Sequence, residues 1–338
     1  MNLKQLAKAL NLSISTVSKA LRDSHEISSG TKEIVKAKAI ELNYQVNPFA
    51  SSLRKQKSKT IAVIIPEVVN DFFGPVINGI ESIAQEKGYH VLIYLTHEIM
   101  QKEVEITRLL QNGRVDGIMI SLSAQTVDTT HLQALKEIEL PLVFFDRIAE
   151  HIDAPKVITD DYNSSFKATE HLIENGCKRI AFLSISEALS ISTKRVNGYS
   201  DALTKNNFEN EKNLIVYCNG DEAKDKDMIR ELLNGDDRPD GIFASVEKLA
   251  ISAYEVCEEL EINIPRDLKI LCFSNLKTAG LLNPSMTTIT QPAFEIGREA
   301  ASILFKLVEK KGHNFLPEKT IIDSKLIVRN STKGVQSD

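Results

Sequence analysis

From Thr60 onward the chain is a regular alternation, and that alternation admits few folds. Short apolar runs, TIAVIIP (60–66), YHVLIYL (89–95), VDGIMISL (115–122), LPLVFFD (140–146) and VITDD (157–161), are separated by stretches of helical length. Runs this rich in β-branched residues belong to strands buried on both faces. Strand–helix–strand order then implies right-handed βαβ units and a parallel sheet. Helices are expected at about Pro75 to Lys87, ended by Gly88, and at about Gln101 to Asn112. The rhythm restarts after Asp161. Helices at about Ser164 to Asn175, Lys194 to Lys205, Lys224 to Leu233 and Lys248 to Leu260 alternate with RIAFLS (179–184), LIVYC (214–218), DGIFASV (240–246) and LKILCFS (268–274). The result is two similar doubly wound halves, a structural repeat without sequence periodicity. A helix, Glu295 to Lys311, and the strands of TIIDSKLIVR (320–329) come last. Returning so late, they can complete each half in turn, and the chain crossings this requires would form a hinge.

A different pattern occupies the start. In LKQLAKALNLSISTVSKAL (3–21), Leu3, Leu6, Ala7 and Leu10 recur three or four apart and line one face of a short helix. Asn11 tolerates a left-handed turn. Ser13 suits an N-cap, with Val17, Ala20 and Leu21 turned inward on the helix that follows. Two short helices joined by a tight turn make a helix-turn-helix. Ile14, Ser15 and Lys19 then lie at or near the exposed start of its second helix, where base edges are read. A third helix is expected from about Thr31 to Leu42, capped by Ser28 or Ser29 and closing a three-helix core through Val35, Ala39 and Leu42. The stretch 43–59 holds a short helix candidate, Pro48 to Arg54, with Asn47 as its cap, and then turns basic and polar like a linker. The expected domains are therefore a helix-turn-helix head (1–46), a hinge helix and linker (47–59) and a two-lobe body (60–338). Within the body, the N-lobe would take about 60–158 and 290–318, and the C-lobe about 159–288 and 319–332.

Charge separates the same parts. The net charge is −5, but residues 1–60 hold eleven Lys and Arg against four acids, a balance of +7 that leaves −12 on the rest. A basic head on an acidic body suits a polyanion partner for the head alone. Cys177, Cys218, Cys257 and Cys272 are far apart, without CxxC, and read as buried reduced thiols. The seven histidines are scattered without metal spacing, so neither a metal nor a cofactor is expected. No GxGxxG follows the first strand, and neither GxxxxGK[ST] nor GxSxG occurs, which argues against an enzyme. An apolar signal region and a membrane-length apolar run are both missing, so a cytoplasmic protein is expected.

LAKALNLSISTVSKAL, the segment ISSGTKEIVKAKAIELNYQVNPFASSLRKQKSKTIAVIIP, NDFFGPVINGIE, LPLVFFDR, TEHLIENGCKRIAFL, KRVNGYSDAL, INIPRDLKILCFSN, TTITQP and LIVRNST together resemble the lactose/galactose-repressor (LacI/GalR) family of transcriptional regulators. The similarity runs in order along nearly the whole chain. It implies a small all-α helix-turn-helix head plus an α/β body of two doubly wound parallel-sheet lobes, like a periplasmic sugar-binding protein. It also implies a homodimer on a pseudo-palindromic double-stranded operator, with a small effector in the interlobe cleft. The chain ends soon after Arg329 without a leucine-heptad tail, so a dimer is expected rather than a tetramer.

The resemblance assigns residues at both ends. Ser13, Thr16, Ser18, Ser28 and Thr31 would touch phosphates, while Ile14, Ser15 and Lys19 face bases; Ser13 and Ser28 can equally be plain helix caps. Lys19 stands where the family usually has Arg, and lacks its bidentate fork. Asn47, Ala50 and Leu53 belong to the hinge, where Leu53 either wedges into the minor groove beside its dimer mate or packs back on the head. In the cleft, candidates fall on the carboxyl ends of the parallel strands or the loops that follow them. Phe72 or Phe73 would stack on a ligand ring, Asp146, Asp160 and Glu247 would accept hydroxyl hydrogen bonds, and Arg195 would fork onto a carboxylate or paired hydroxyls. Of these, the resemblance places Phe72, Asp160 and Arg195 at recurrent effector positions. Asp160 can also cap a helix, and Arg195 can belong to an ordinary interlobe ion pair. Glu247 replaces a frequent Asp. Ser274, in CFSN, replaces the Asp of a GFD-type strand end. Losing that carboxylate near Arg195 leads to an expected preference for acidic effectors, a uronate or sugar phosphate, over neutral sugars.

Overall fold

The computed structural model describes residues 2–44, 57–208, 212–218, 220–235, 237–309 and 318–333. The chain forms two compact units, Met1–Ser58 and Lys59–Asp338. The hinge residues Asn47, Ala50 and Leu53 lie outside the described residues.

The first unit is three helices, α1 (Leu3–Ala9), α2 (Ile14–Leu21) and α3 (Ser29–Glu41). Each begins on a side-chain cap. Asn2 and Gln5 form a reciprocal capping box, Ser13 accepts from the Thr16 N–H, and Ser28 accepts from the Thr31 N–H. The third helix thus starts earlier than its apolar stripe indicates, because Ser28 is the cap. Each helix also ends alike, on a left-handed residue: Asn11 (φ 54°), Asp23 (φ 58°) and Asn43 (φ 48°). The next N–H folds back on the last turn in every case, Leu12 to Ala7, Ser24 to Lys19 and Tyr44 to Ala39. Leu6, Val17 and Val35 are fully buried between the helices.

The second unit holds two six-stranded sheets. The N-lobe is built from β1 (Thr60–Ile65), α4 (Phe73–Glu86), β2 (His90–Leu95), α5 (Met100–Leu110), β3 (Ile118–Ile120), α6 (Thr130–Glu137), β4 (Leu142–Phe145) and β5 (Lys156–Thr159). The C-lobe follows as α7 (Asp161–Glu174), β6 (Ile180–Ser184), α8 (Ser190–Lys205), β7 (Ile215–Tyr217), α9 (Glu222–Asn234), β8 (Gly241–Ala244), α10 (Glu247–Glu259), β9 (Lys269–Phe273) and β10 (Thr287–Thr290). The chain then returns with α11 (Ala293–Glu309), β11 (Lys319–Ile322) and β12 (Lys325–Ile327). Sheet orders are β11-β5-β4-β3-β1-β2 and β12-β10-β9-β8-β6-β7. All pairings are parallel except β10 with β12.

One boundary differs from the sequence expectation. The sequence pattern places about 319–332 in the C-lobe, yet β11 pairs with β5, Lys319 opposite Lys156 and Ile322 opposite Thr159, and so edges the N-lobe sheet. Asp323 and Ser324 carry the crossover, and β12 alone joins the C-lobe. Two adjacent strand-like runs give no sign of which sheet each joins. The chain therefore crosses between lobes near 160, near 291 and at 323–324.

Glycine sets the closest helix contacts. A Cβ on Gly79 of α4 would lie 2.1 Å from the Phe294 carbonyl of α11, and one on Gly198 of α8 would lie 2.2 Å from the Tyr162 carbonyl of α7. One helix pair in each lobe thus touches backbone to backbone. All four cysteines are buried free thiols. No helix among the described residues is long and apolar enough to cross a membrane.

Candidate functional site

On the head, Ile14 and Ser15 are exposed, Ile14 at 46%, at the start of α2. Ser18, Lys19 and Arg22 continue the same helical face at four-residue spacing. The Ser13 and Thr16 hydroxyls pair at 2.8 Å, as do those of Ser28 and Thr31 at 2.9 Å, so each Ser–Thr couple both caps a helix and offers hydroxyls at its start. Arg22 donates through Nη2 to the Ser18 Oγ (2.7 Å) and through Nε to its carbonyl (2.9 Å). Lys19 is ion-paired with Glu26.

In the body, strands of both sheets end at one cleft, the position where open α/β sheets bind ligands. Phe72, Phe73, Asp146, Arg195, Glu247 and Ser274 all line it. The lobes are closed down on this space, which amounts to about 30 Å³, room for no more than a few waters. Asp160 is not among the lining residues. Its carboxylate caps α7, accepting from the Asn163 N–H (3.2 Å) and Nδ2 (2.5 Å).

The neighbouring Asp161 instead does the electrostatic work. Its Oδ1 takes Arg195 Nε at 2.9 Å, with Nη2 at 2.8 Å, while Arg195 Nη1 donates to the Ser245 carbonyl at 2.6 Å. The guanidinium also lies 3.6 Å over the Phe273 ring. The pair lies within the C-lobe rather than between lobes, which fixes the guanidinium at the cleft wall. Burial pushes the Asp161 carboxyl up to about 6, against the pull of Arg195.

Two further carboxylates face the space. Asp146, at the end of β4, is held above the usual carboxylate range by burial, with Arg147 and Arg195 opposing. Glu247, at the start of α10, is raised by burial too, and crosses the cleft: its Oε1 accepts from the Asp71 N–H at 2.9 Å and its Oε2 from the Ser274 hydroxyl at 2.8 Å. Arg147 is anchored on Glu98 by Nη1, at 2.9 and 2.7 Å. Other bridges hold the lobes together: Ser186 Oγ to the Ala124 carbonyl (3.1 Å), Ser190 Oγ to the Ile148 carbonyl (3.2 Å), and Lys194 with Glu150.

Sequence reasoning did not single out Arg147, Ser245, Asn275 or Gln291, all of which line the cleft. Gln291 sits at a lobe crossing, where its Nε2 donates to Thr159 Oγ1 at 3.1 Å and its carbonyl accepts from Asn275 Nδ2 at 2.7 Å. Each follows a strand end, and that position was the available signal. Ser245 Oγ is buried with no hydrogen-bond partner among the described residues.

Two α/β lobes closing on a polar cleft, preceded in sequence by a capped helix-turn-helix, define the class of effector-responsive transcription factors. Residues 169–332 match the family model of a periplasmic binding protein-like domain. The HTH-type transcriptional repressor CytR of Escherichia coli (strain K12) is 30% identical over 336 residues, 98% of this chain and 96% of that one. The ribose operon repressor of Halalkalibacterium halodurans is 29% identical over 332 residues, 98% and 97% of the two chains. Among solved structures, a LacI family transcriptional regulator from Enterococcus faecium with bound ribose is 26% identical with a TM-score of 0.70, over 82% of this chain and 100% of that one. The CelR–cellobiose complex shares the fold, with a TM-score of 0.74 at 24% identity over 98% and 99% of the chains. The chain belongs to the LacI family of transcriptional regulators. It is a regulator of transcription, not an enzyme.

Proposed function

We propose that this regulator is a homodimeric repressor of carbohydrate-utilisation genes, gated by a neutral sugar held in the interlobe cleft. The observation that carries the ligand class is the charge balance of the cleft. Both arginines on its wall are already engaged, Arg195 by Asp161 and Arg147 by Glu98. Asp146 and Glu247, by contrast, are carboxylates strained by burial. A third anion there would add repulsion, whereas sugar hydroxyls would donate to both and a ring face would pack on Phe72. This reverses the preference for uronates inferred from Ser274 alone, because Asp161 supplies the neutralising charge that Ser274 lacks. The ribose operon repressor and the ribose-bound relative support the same class.

The lobes must part to admit a sugar and close to hold it, so ligand shifts an open–closed equilibrium, with coupling to DNA typically about 1–3 kcal/mol. The test is a thermal-shift screen of ribose and other neutral pentoses and hexoses against uronates and sugar phosphates. A neutral sugar at a hundred times its Kd should stabilise the body by about 2.7 kcal/mol. Stabilisation by the acids alone overturns the reading. Leu53→Ala is expected to weaken operator binding sharply and leave dimerisation, read by sedimentation, unchanged; equal operator affinity and DNA bend would remove Leu53 from the hinge mechanism.

A further inference from the structure

Glu26 lies outside the recognition helix, yet the fold brings it to the base-reading face. Helix α2 ends on Asp23 in the left-handed region, with Asp23 N–H on the Ala20 carbonyl (3.1 Å) and Ser24 N–H on the Lys19 carbonyl (3.1 Å). That motif turns the chain back along the last turn of the helix. The returning loop is then held at three further points. Ile27 N–H bonds the Ser24 carbonyl at 3.2 Å, Ile27 packs on the head core, and Lys32 grips Asp23 through both its carbonyl (3.3 Å) and its carboxylate (3.1 Å). Glu26 is thereby set beside Lys19 by backbone geometry, and the two side chains form an ion pair at the surface, 51% and 40% exposed.

We propose that Lys19 and Glu26 act as one reading unit, and that Glu26 is a specificity-determining residue for a G·C base pair in each half-site. The proposal rests on the DNA-reading role of the head. An ammonium donates to guanine O6 and N7, and a carboxylate accepts from the N4 amino group of cytosine; the major-groove edge of a G·C pair offers both. A lone lysine is a freely rotating point charge that serves a phosphate as readily as a base. Pairing with Glu26 restrains it, and the same carboxylate is repelled by phosphates wherever the helix sits in a wrong register. Glu26 thus exchanges non-specific affinity for discrimination.

The experiment selects from a random-sequence duplex pool with the full-length chain, its Glu26→Gln variant and its Lys19→Gln variant. The wild type should enrich a two-fold-symmetric consensus containing a G·C pair at one position per half-site. E26Q should relax that position about tenfold and leave the others unchanged. It should also bind non-specific duplex more tightly, with a log Kobs against log[salt] slope steeper by about 0.9, because Lys19 is released to a phosphate. K19Q should lose the preference at the same position. A consensus and slope that E26Q leaves untouched overturn the proposal while the DNA-reading role stands. Failure of the wild type to enrich any consensus overturns that role, and the proposal with it.

Discussion

The two lobes superimpose in plan and part company at one corner. In the N-lobe sheet, Ser121 directly follows β3 and Asp146 directly follows its neighbour β4; in the C-lobe sheet, Ser245 and Ser274 directly follow the equivalent strands β8 and β9. The N-lobe pair is a hydroxyl on a carboxylate, Ser121 Oγ to Asp146 Oδ2 at 3.5 Å. In the C-lobe the carboxylate is missing from the strand end. Ser274 turns its hydroxyl to Glu247 on the next helix, and Ser245 is left buried without a partner among the described residues. The displaced carboxylate then does what Asp146 does not: it crosses the cleft to the Asp71 N–H of the other lobe. Equal frames thus carry unequal tasks, a fixed wall on the N-lobe and a latch on the C-lobe.

What the lobes share should be the hardest to alter. Gly79→Ala and Gly198→Ala each drive a Cβ to 2.1–2.2 Å from a carbonyl oxygen of the facing helix, so both helix pairs must separate. We expect each to cost about 3 kcal/mol or more in urea unfolding, with Gly74→Ala, which has open space around it, as the mild control. A lobe that accepts its alanine cheaply has a helix pair free to slide, and the equivalence of the two frames would fail there.

The next effect belongs to the C-lobe. The arginine of each wall has a carboxylate, but Glu98 is 21% exposed and Asp161 only 2%. With its carboxyl pushed up to about 6, Asp161 binds its proton more tightly folded than unfolded, where the ordinary 3.8 applies. The stability it contributes is complete below about pH 4 and is lost as pH rises through about 6, because the folded state must ionise a buried group. Asp161→Asn cannot ionise. Relative to that variant, the wild type should lose on the order of 2 kcal/mol between about pH 4 and pH 7. The variant should also bind sugar more weakly, since Arg195 loses its anchor. A pH-independent gap between the two proteins would mean that Arg195 fully offsets the burial of Asp161.

Sequence patterns disclosed the shared frame and little of the corner where the lobes differ. Apolar runs and glycine stops located the strands and helices, because burial on both faces writes itself into composition. The cleft residues Phe73, Asp146, Glu247 and Ser274 were legible from their places at strand and helix ends, while Phe72 and Arg195 were reached through the family resemblance as well. Asp160 and Asp161 were not separable, since either can cap a helix and only the packing of α7 against α8 decides which one meets Arg195. Gln291 was hidden in a lobe crossing, and β11 in a run indistinguishable from β12. The Lys19–Glu26 pair depends on a left-handed Asp23, a backbone state that aspartate permits without announcing.

Converting one corner into the other gives a smaller effect. Ser274→Asp would hand Ser245 a carboxylate, as Asp146 serves Ser121. It would also remove the donor to Glu247 and place a second negative charge beside it. The latch on Asp71 should weaken, with a loss of about 1–2 kcal/mol at neutral pH that shrinks on acidification, read by chemical unfolding at pH 7 and pH 4. Full stability at pH 7 would show that the latch contributes nothing to closure.

The smallest and sharpest contrast removes one oxygen from each lobe. Ser121→Ala deletes a donor to Asp146 and should cost about 1 kcal/mol, while raising the proton affinity of that carboxyl further. Ser245→Ala deletes a buried hydroxyl that has no hydrogen-bond partner among the described residues, so its removal should leave the unliganded body unchanged or slightly more stable. The order reverses on adding sugar if Ser245 completes its hydrogen bonding on the ligand: S245A should then lose affinity about fivefold to tenfold although its stability is intact. Equal costs for the two alanines in the unliganded protein would erase the distinction between wall and latch, because Ser245 would then have to be held as firmly by the protein as Ser121 is.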